Sequence, residues 1–167
     1  MDHYEENLSK TREQLLLEIS SVRAEDFNRR LEQDKWSIAQ VCHHLVIIDT
    51  LFAKAIVHGL KRMNPTNTEF VPIEFVADRS NKIQAPEMTE PSSEPFQVQQ
   101  IIQMLHDSRK NFLDVLSKVE DRAILKTVAV THPVLGHLPL DQWVELLYVH
   151  EQRHIEQIQE LKARCVI

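Results

Sequence analysis

Residues 148–157 read YVHEQRHIEQ, and the five from His150 to His154 spell H-E-x-x-H. On a helix this spacing turns two imidazoles to one face. In zinc proteases they hold the ion while the intervening glutamate acts as general base. The protease reading also needs a third ligand downstream. In the extended form, H-E-x-x-H-x-x-G-x-x-H, the glycine and third histidine would fall at positions occupied by Gln157 and Glu160. The other form needs a glutamate on a further helix, and the chain beyond His154 offers no such helix. The upstream sheet on which those enzymes lay their substrate is not predicted either. The pair therefore belongs to another helical frame, and the question becomes what faces it.

Composition sets that frame. Only 2 glycines occur in 167 residues, and stretches rich in Leu, Ile, Glu, Gln and Lys repeat at a helical period. This predicts helix rather than sheet. The length suits a single domain, residues 1–167, with a core of its own. A formal charge of -6, without a basic stripe interleaved with aromatics, argues against a nucleic-acid partner. The opening MDHYEENLSK is acidic and lacks an apolar segment, and no run approaches the roughly 18 apolar residues that span a bilayer. A soluble, cytoplasmic protein with no membrane partner is expected. Cys42 and Cys165 lie far apart and form no CxxC, so they give no disulfide framework.

Four long helices follow from the periodicity. The first runs from about Asp2 to Ser20, with Leu8, Leu15, Leu16 and Ile19 on one face. The second opens at Ser37 in DKWSIAQVCHHLVIIDTLFAKAIVHGL, where Ser37 and Gln40 make a capping-box pair and Trp36 is placed as a staple. Gly59 predicts its end. The third begins around Pro95 and carries Val98, Ile101, Leu105, Phe112, Leu116 and Val119. The fourth runs from about Leu140 to Ala163. Between the second and third lies a proline-rich connection, 61–95, longer than a bundle normally needs, which predicts either functional covering or a mobile linker. Before the fourth helix, ILKTVAVTHPVLGHLPL reads as a short extended segment turning at Pro133 and Gly136. The expected architecture is an all-α four-helix bundle with two elaborated connections.

Within that bundle the direction of each histidine matters more than the total of 9. On a wheel of about 100 degrees per residue, Trp143, Leu147, His150, His154, Ile158 and Leu161 share a sector of roughly 60 degrees. Both histidines thus lie in the buried stripe, about 6 Å apart along the axis. Two unpaired imidazoles in an apolar core would each need a hydrogen-bond partner, a cost that a shared metal ion removes. A third ligand should face them from the second helix, whose stripe is Ile38, Val41, Leu45, Ile48, Phe52 and Ile56. His44 flanks that stripe at roughly 75 degrees from its centre, whereas His43 points nearly opposite and is expected in solvent. Cys42 flanks the other side as a weaker thiolate candidate, with core packing the preferred reading.

Three stretches, WSIAQVCHHL (36–45), THPVLGHLPLDQW (131–143) and HEQRHIEQI (150–158), resemble the DinB/YfiT-like four-helix-bundle metalloproteins. That family places one histidine on its second helix, in a W-S-x-x-x-x-x-x-H-L context, and an H-x-x-x-H pair on its last. Carried over, the resemblance implies His44, His150 and His154 as ligands of a divalent metal ion, zinc or nickel. It also implies an S-transferase that joins a low-molecular-weight thiol, such as bacillithiol, to a small-molecule electrophile. A metal-dependent hydrolase or a non-catalytic metal-binding module are the alternatives, and a homodimer is in keeping with many relatives.

Three imidazoles leave a divalent ion open to a further ligand, the arrangement of catalytic rather than structural zinc. A thiol there would lose its proton near neutral pH, and a water would become the nucleophile of a hydrolase. Glu151 lies about 40 degrees from the stripe centre, placed either to orient a ligand imidazole or take a proton, or to make a salt bridge on its helix. Asp49 borders the second helix's stripe and could support the site or merely touch solvent. His132 and His137 flank the HPVLGH turn, where turn chemistry is the first expectation and a substrate contact the second.

Overall fold

The computed structural model describes residues 2–66 and 70–165. Helix α1, His3–Ser20, begins where the Asp2 side chain accepts the Glu5 N–H, and buries Leu8, Arg12, Leu15 and Ile19. A single turn, α2 (Ala24–Phe27), seats Phe27 in the core. Helix α3, Ile38–Arg62, starts at the expected capping box: the Gln40 N–H donates to Ser37 Oγ and the Ser37 N–H to Gln40 Oε1. It does not stop at Gly59. The helix continues to Arg62 and closes at Met63, which takes the left-handed conformation at φ 52. Gly59 serves packing instead, since a Cβ there would lie 2.8 Å from the Leu140 side chain and 2.9 Å from that of Val130.

Helix α4, Val98–Ser117, starts three residues after Pro95, at Gln97 as N-cap, and buries Ile101, Leu105, Phe112 and Leu116. The short α5, Ile124–Thr127, leads into a β-hairpin. Strand β1, Ala129–His132, pairs antiparallel with β2, Gly136–Pro139, so the extended segment expected from sequence is a two-stranded ribbon. Gly136 holds φ +73, the left-handed residue that a three-residue hairpin loop needs. Helix α6, Leu140–Cys165, follows directly from β2.

The core divides into two clusters that reveal how the helices run. Leu8, Phe52, Ile56, Phe112, Leu116, Val144 and Leu147 share one; Leu15, Ile19, Ile38, Val41, Ile101, Leu105, Ile155 and Ile158 share the other. α1 and α6 therefore run one way, and α3 and α4 the opposite way. The path is up, down, down, up. Because α4 starts at the end of the bundle from which α3 departed, the chain from Arg62 to Val98 must travel the bundle's full length, about 30 Å for a 20-residue helix. This explains why the connection is long. Two turns of 3₁₀ helix, Glu74–Val76 and Glu87–Thr89, punctuate it.

α3 departs from one expectation: it is long and apolar enough, by length and composition, to cross a membrane. Half of that apolar stretch is buried in the bundle, and it carries His44 and Asp49 into the interior, so it serves as the central core helix.

Candidate metal centre

His44 descends from α3 and His150 and His154 rise from α6, and their Nε2 atoms converge. His150 Nε2 lies 3.1 Å from His154 Nε2 and 3.4 Å from His44 Nε2, and one ligand atom from each ring lies within 4.8 Å of the others. The outer nitrogens explain the orientation. His44 Nδ1 is 2.7 Å from the Thr89 carbonyl oxygen and His154 Nδ1 is 2.7 Å from Gln157 Oε1. The Thr89 carbonyl only accepts, so His44 Nδ1 carries the proton, and with the Gln157 amide turned to present Oε1 so does His154 Nδ1; each Nε2 then presents a lone pair to the cluster. His150 Nδ1 is buried and finds no hydrogen-bond partner among the described residues.

A neutral His150 has one ring proton and can offer it to only one of the two Nε2 lone pairs that face it, and further protons are disfavoured here. Burial lowers the pKa of His44 to about 4 and of His154 to about 3, and that of His150 well below its ordinary value. Neighbouring imidazoles push the same way for His150 and His154. The donor set thus fits a divalent ion: three neutral imidazoles, two with fixed tautomers. Among the described residues no fourth His, Cys, Asp or Glu joins the cluster.

The histidines open onto a cavity of about 670 Å³. Helices α3 and α6 form its floor, crossover residues 75–89 one wall and the β-hairpin the other. Trp36 covers His44, ring centroids 4.9 Å apart, rather than acting only as a helix staple. Arg153 fixes the crossover: buried, it donates to the carbonyls of Val76, Asp78 and Asn81 at 3.1, 2.7 and 2.6 Å. Three backbone acceptors for one guanidinium make a clamp that keeps the wall in place.

Glu151 and Asp49 face elsewhere. Both are 1% exposed and both are bound by Arg12 of α1 and Arg109 of α4. Glu151 also accepts from Thr11 Oγ1 at 2.6 Å, and Asp49 from Ser108 Oγ at 2.8 Å. Among the described residues neither hydrogen-bonds to a cluster histidine. The expected imidazole support and the expected helix-surface ion pair or solvent contact are replaced by a buried, charge-balanced layer joining all four long helices. Burial alone would raise the Asp49 pKa, and the Arg109 and Arg12 guanidiniums outweigh it and hold the carboxyl below its ordinary value. Arg12 and Arg109 were missed from sequence, although each interrupts an apolar stripe: Leu8, Arg12, Leu15 on α1 and Leu105, Arg109, Phe112 on α4.

The remaining candidates divide. His43, expected in solvent, is half-buried under the crossover; its Nδ1 accepts the Ser92 N–H at 3.0 Å and its ring meets Phe96 at 4.8 Å. Cys42 is fully buried in the core, and burial pushes its thiol up to about 12, far from a thiolate. His132 does perform turn chemistry, its Nδ1 accepting the Val134 and Leu135 N–H groups, and it also lines the cavity. His137 is exposed.

Comparison with known proteins agrees with this architecture. A solved structure, TT2238, described as a four-helix bundle protein, superposes with a TM-score of 0.65 over 95% of this chain and 98% of that one; at 16% identity the likeness shows the fold. An uncharacterized protein of Bacillus subtilis (strain 168), YuaE, is 27% identical over 147 residues, covering 88% of this chain and 90% of that protein. The model of the DinB superfamily matches residues 7–158, a span that contains the crossover, the hairpin and all three converging histidines, and the chain belongs to that superfamily.

Proposed function

We propose that the protein is a metal-dependent S-transferase that joins a low-molecular-weight thiol of the bacillithiol type to a small-molecule electrophile. The observation that carries this reading is the open side of the three-histidine cluster, facing a large cavity with apolar walls. His44, His150 and His154 would hold the ion, and zinc and nickel both suit three imidazoles. When bound, such an ion supplies Lewis acidity that lowers the pKa of a coordinated thiol, ordinarily about 8.5, into the neutral range.

The chain's own residues do the rest. Thr89 and Gln157 keep two imidazoles in the tautomer that presents Nε2. Ile48, Phe52, Leu146 and Trp143 give the electrophile an apolar bed that displaces water from the approach of sulfur to carbon. The carbon–sulfur bond forms as the bond to the leaving group breaks. A halide departs with its electron pair, and the thiol proton passes to solvent. Hydrolysis at the same place would call for a base beside the ion to take a proton from water. The buried carboxylates on the two helices that carry the cluster, Asp49 and Glu151, are committed to guanidiniums, which favours the more acidic thiol as nucleophile.

The test is an assay of metal-loaded protein with 1-chloro-2,4-dinitrobenzene, with and without bacillithiol. Thioether formation that needs both thiol and metal is the expected result. A rate indifferent to thiol, or activity confined to ester cleavage, would overturn the transferase reading.

A further inference from the structure

The cavity extends well beyond the histidine cluster. Along α3 its lining continues from His44 past Phe52 to His58, and along α6 it runs from Gln157 through His150 back to Trp143. At about 1.5 Å per residue Phe52 lies roughly 12 Å along α3 from His44 and Trp143 roughly 10 Å along α6 from His150, so the two rings meet well away from the cluster. There they form a group of three rings with His132 of β1. The Phe52 and Trp143 centroids are 4.9 Å apart and edge-to-face at 76°, His132 and Trp143 are 5.0 Å apart at 59°, and Phe52 and His132 are 6.2 Å apart at 85°.

Hydrogen bonding leaves this group one unused polar atom. The Trp143 indole N–H donates to the Val130 carbonyl at 3.3 Å. His132 Nδ1 accepts two turn N–H groups at 3.1 and 3.2 Å, so the ring proton resides on Nε2, for which no described residue supplies a hydrogen-bond partner. Burial keeps the ring neutral, lowering its pKa to about 4. Charge narrows the ligand further. Lys35, Lys54, Arg79 and Arg153 line the cavity against a single described carboxylate, Asp34, so a cationic ligand meets repulsion. The mouth carries large exposed apolar side chains, Phe75 and Met88 from the crossover and Val134 from the hairpin. Such side chains gathered around an opening mark a surface meant to be covered by an apolar ligand.

We propose that Phe52, His132 and Trp143 form a second subsite that takes an uncharged aromatic ring bearing a hydrogen-bond acceptor, the acceptor facing His132 Nε2–H. A substrate that fills both this subsite and the cluster carries its reactive carbon apart from the ring held here, whereas a single-ring electrophile such as 1-chloro-2,4-dinitrobenzene reacts at the cluster without filling the subsite. This deepens the transferase reading and rests on it for the reaction, although ring binding itself does not require the metal.

The test titrates three probes into the full chain, once after chelation with EDTA and once with zinc: acetophenone, acetylcyclohexane and phenyltrimethylammonium. The two tryptophans, Trp36 beside His44 and Trp143 beside Phe52, report on separate parts of the cavity, and a Trp36→Phe variant assigns their indole N–H signals. Acetophenone should bind saturably with and without zinc and shift the Trp143 signal while leaving that of Trp36 in place. Acetylcyclohexane should bind about 3- to 10-fold more weakly, the range an aromatic pairing is worth, and the cation more weakly still. His132→Phe keeps a ring but removes the donor together with the acceptor of the Val134 and Leu135 N–H groups; it should weaken acetophenone about 5- to 10-fold while leaving toluene unaffected, the toluene result showing that the turn still holds the ring in place. Absence of saturable binding, a shift confined to Trp36, or equal affinity for the two ketones would overturn the proposal. Loss of thiol transfer with ketone binding intact would instead count against the transferase reading alone.

Discussion

Asp49 and Glu151 show what a single buried charge demands. Each sits at 1% exposure and each is neutralised by Arg12 and Arg109, so removing one leaves a guanidinium short of its partner. Asp49→Asn is expected to cost about 3–5 kcal/mol, the usual effect of breaking a buried pair from one side, measured by urea unfolding at pH 7. The pH dependence has a definite sign. The folded Asp49 pKa lies below its unfolded value of about 3.9, so its stabilisation is complete above that value and is lost as pH falls through the folded pKa. The gap between wild type and Asp49→Asn should therefore be widest near neutrality and shrink below about pH 4. The converging histidines were legible at this scale, because position on a helical wheel is set by spacing. The carboxylates were not, because their partners lie on other helices and only an arginine inside an apolar stripe betrays them.

Helices and hairpin obey local chemistry where local chemistry is strong. The Ser37–Gln40 capping box starts α3 as its residues predict, since both reciprocal bonds lie within one turn. The far end of α3 was misread for a reason of packing: Gly59 is needed where Leu140 and Val130 approach, and Met63 takes the left-handed cap instead. A non-glycine residue held there is strained, so Met63→Gly should raise stability by about 1 kcal/mol, visible as a higher midpoint in thermal unfolding. Gly136→Ala should do the reverse by about the same amount, since φ +73 disfavours a Cβ, and it would disturb the turn that orients His132. The hairpin itself was read only as extended chain, because pairing between two four-residue strands has no periodicity long enough to announce it.

The whole molecule arises from one topological choice. With α3 and α4 parallel, the chain must cross the full length of the bundle, and the crossover becomes the wall of the cavity. Sequence revealed an overlong connection but not its purpose, since helix direction is decided by which core residues meet. Arg153 pins this wall through three carbonyls, and Arg153→Met should loosen it, raising KM in the transferase assay more than it lowers kcat. Across the same floor His44 joins α3 to α6, and an ion shared between them should stabilise the folded chain by about 4 kcal/mol at a free concentration a thousandfold above Kd. The most direct test is the metal content of untagged protein, measured by elemental analysis for wild type, His44→Ala, His154→Ala and His43→Ala. About one divalent ion per chain is expected in wild type and in His43→Ala, with none retained in the other two. A full complement of metal in His44→Ala would contradict the account.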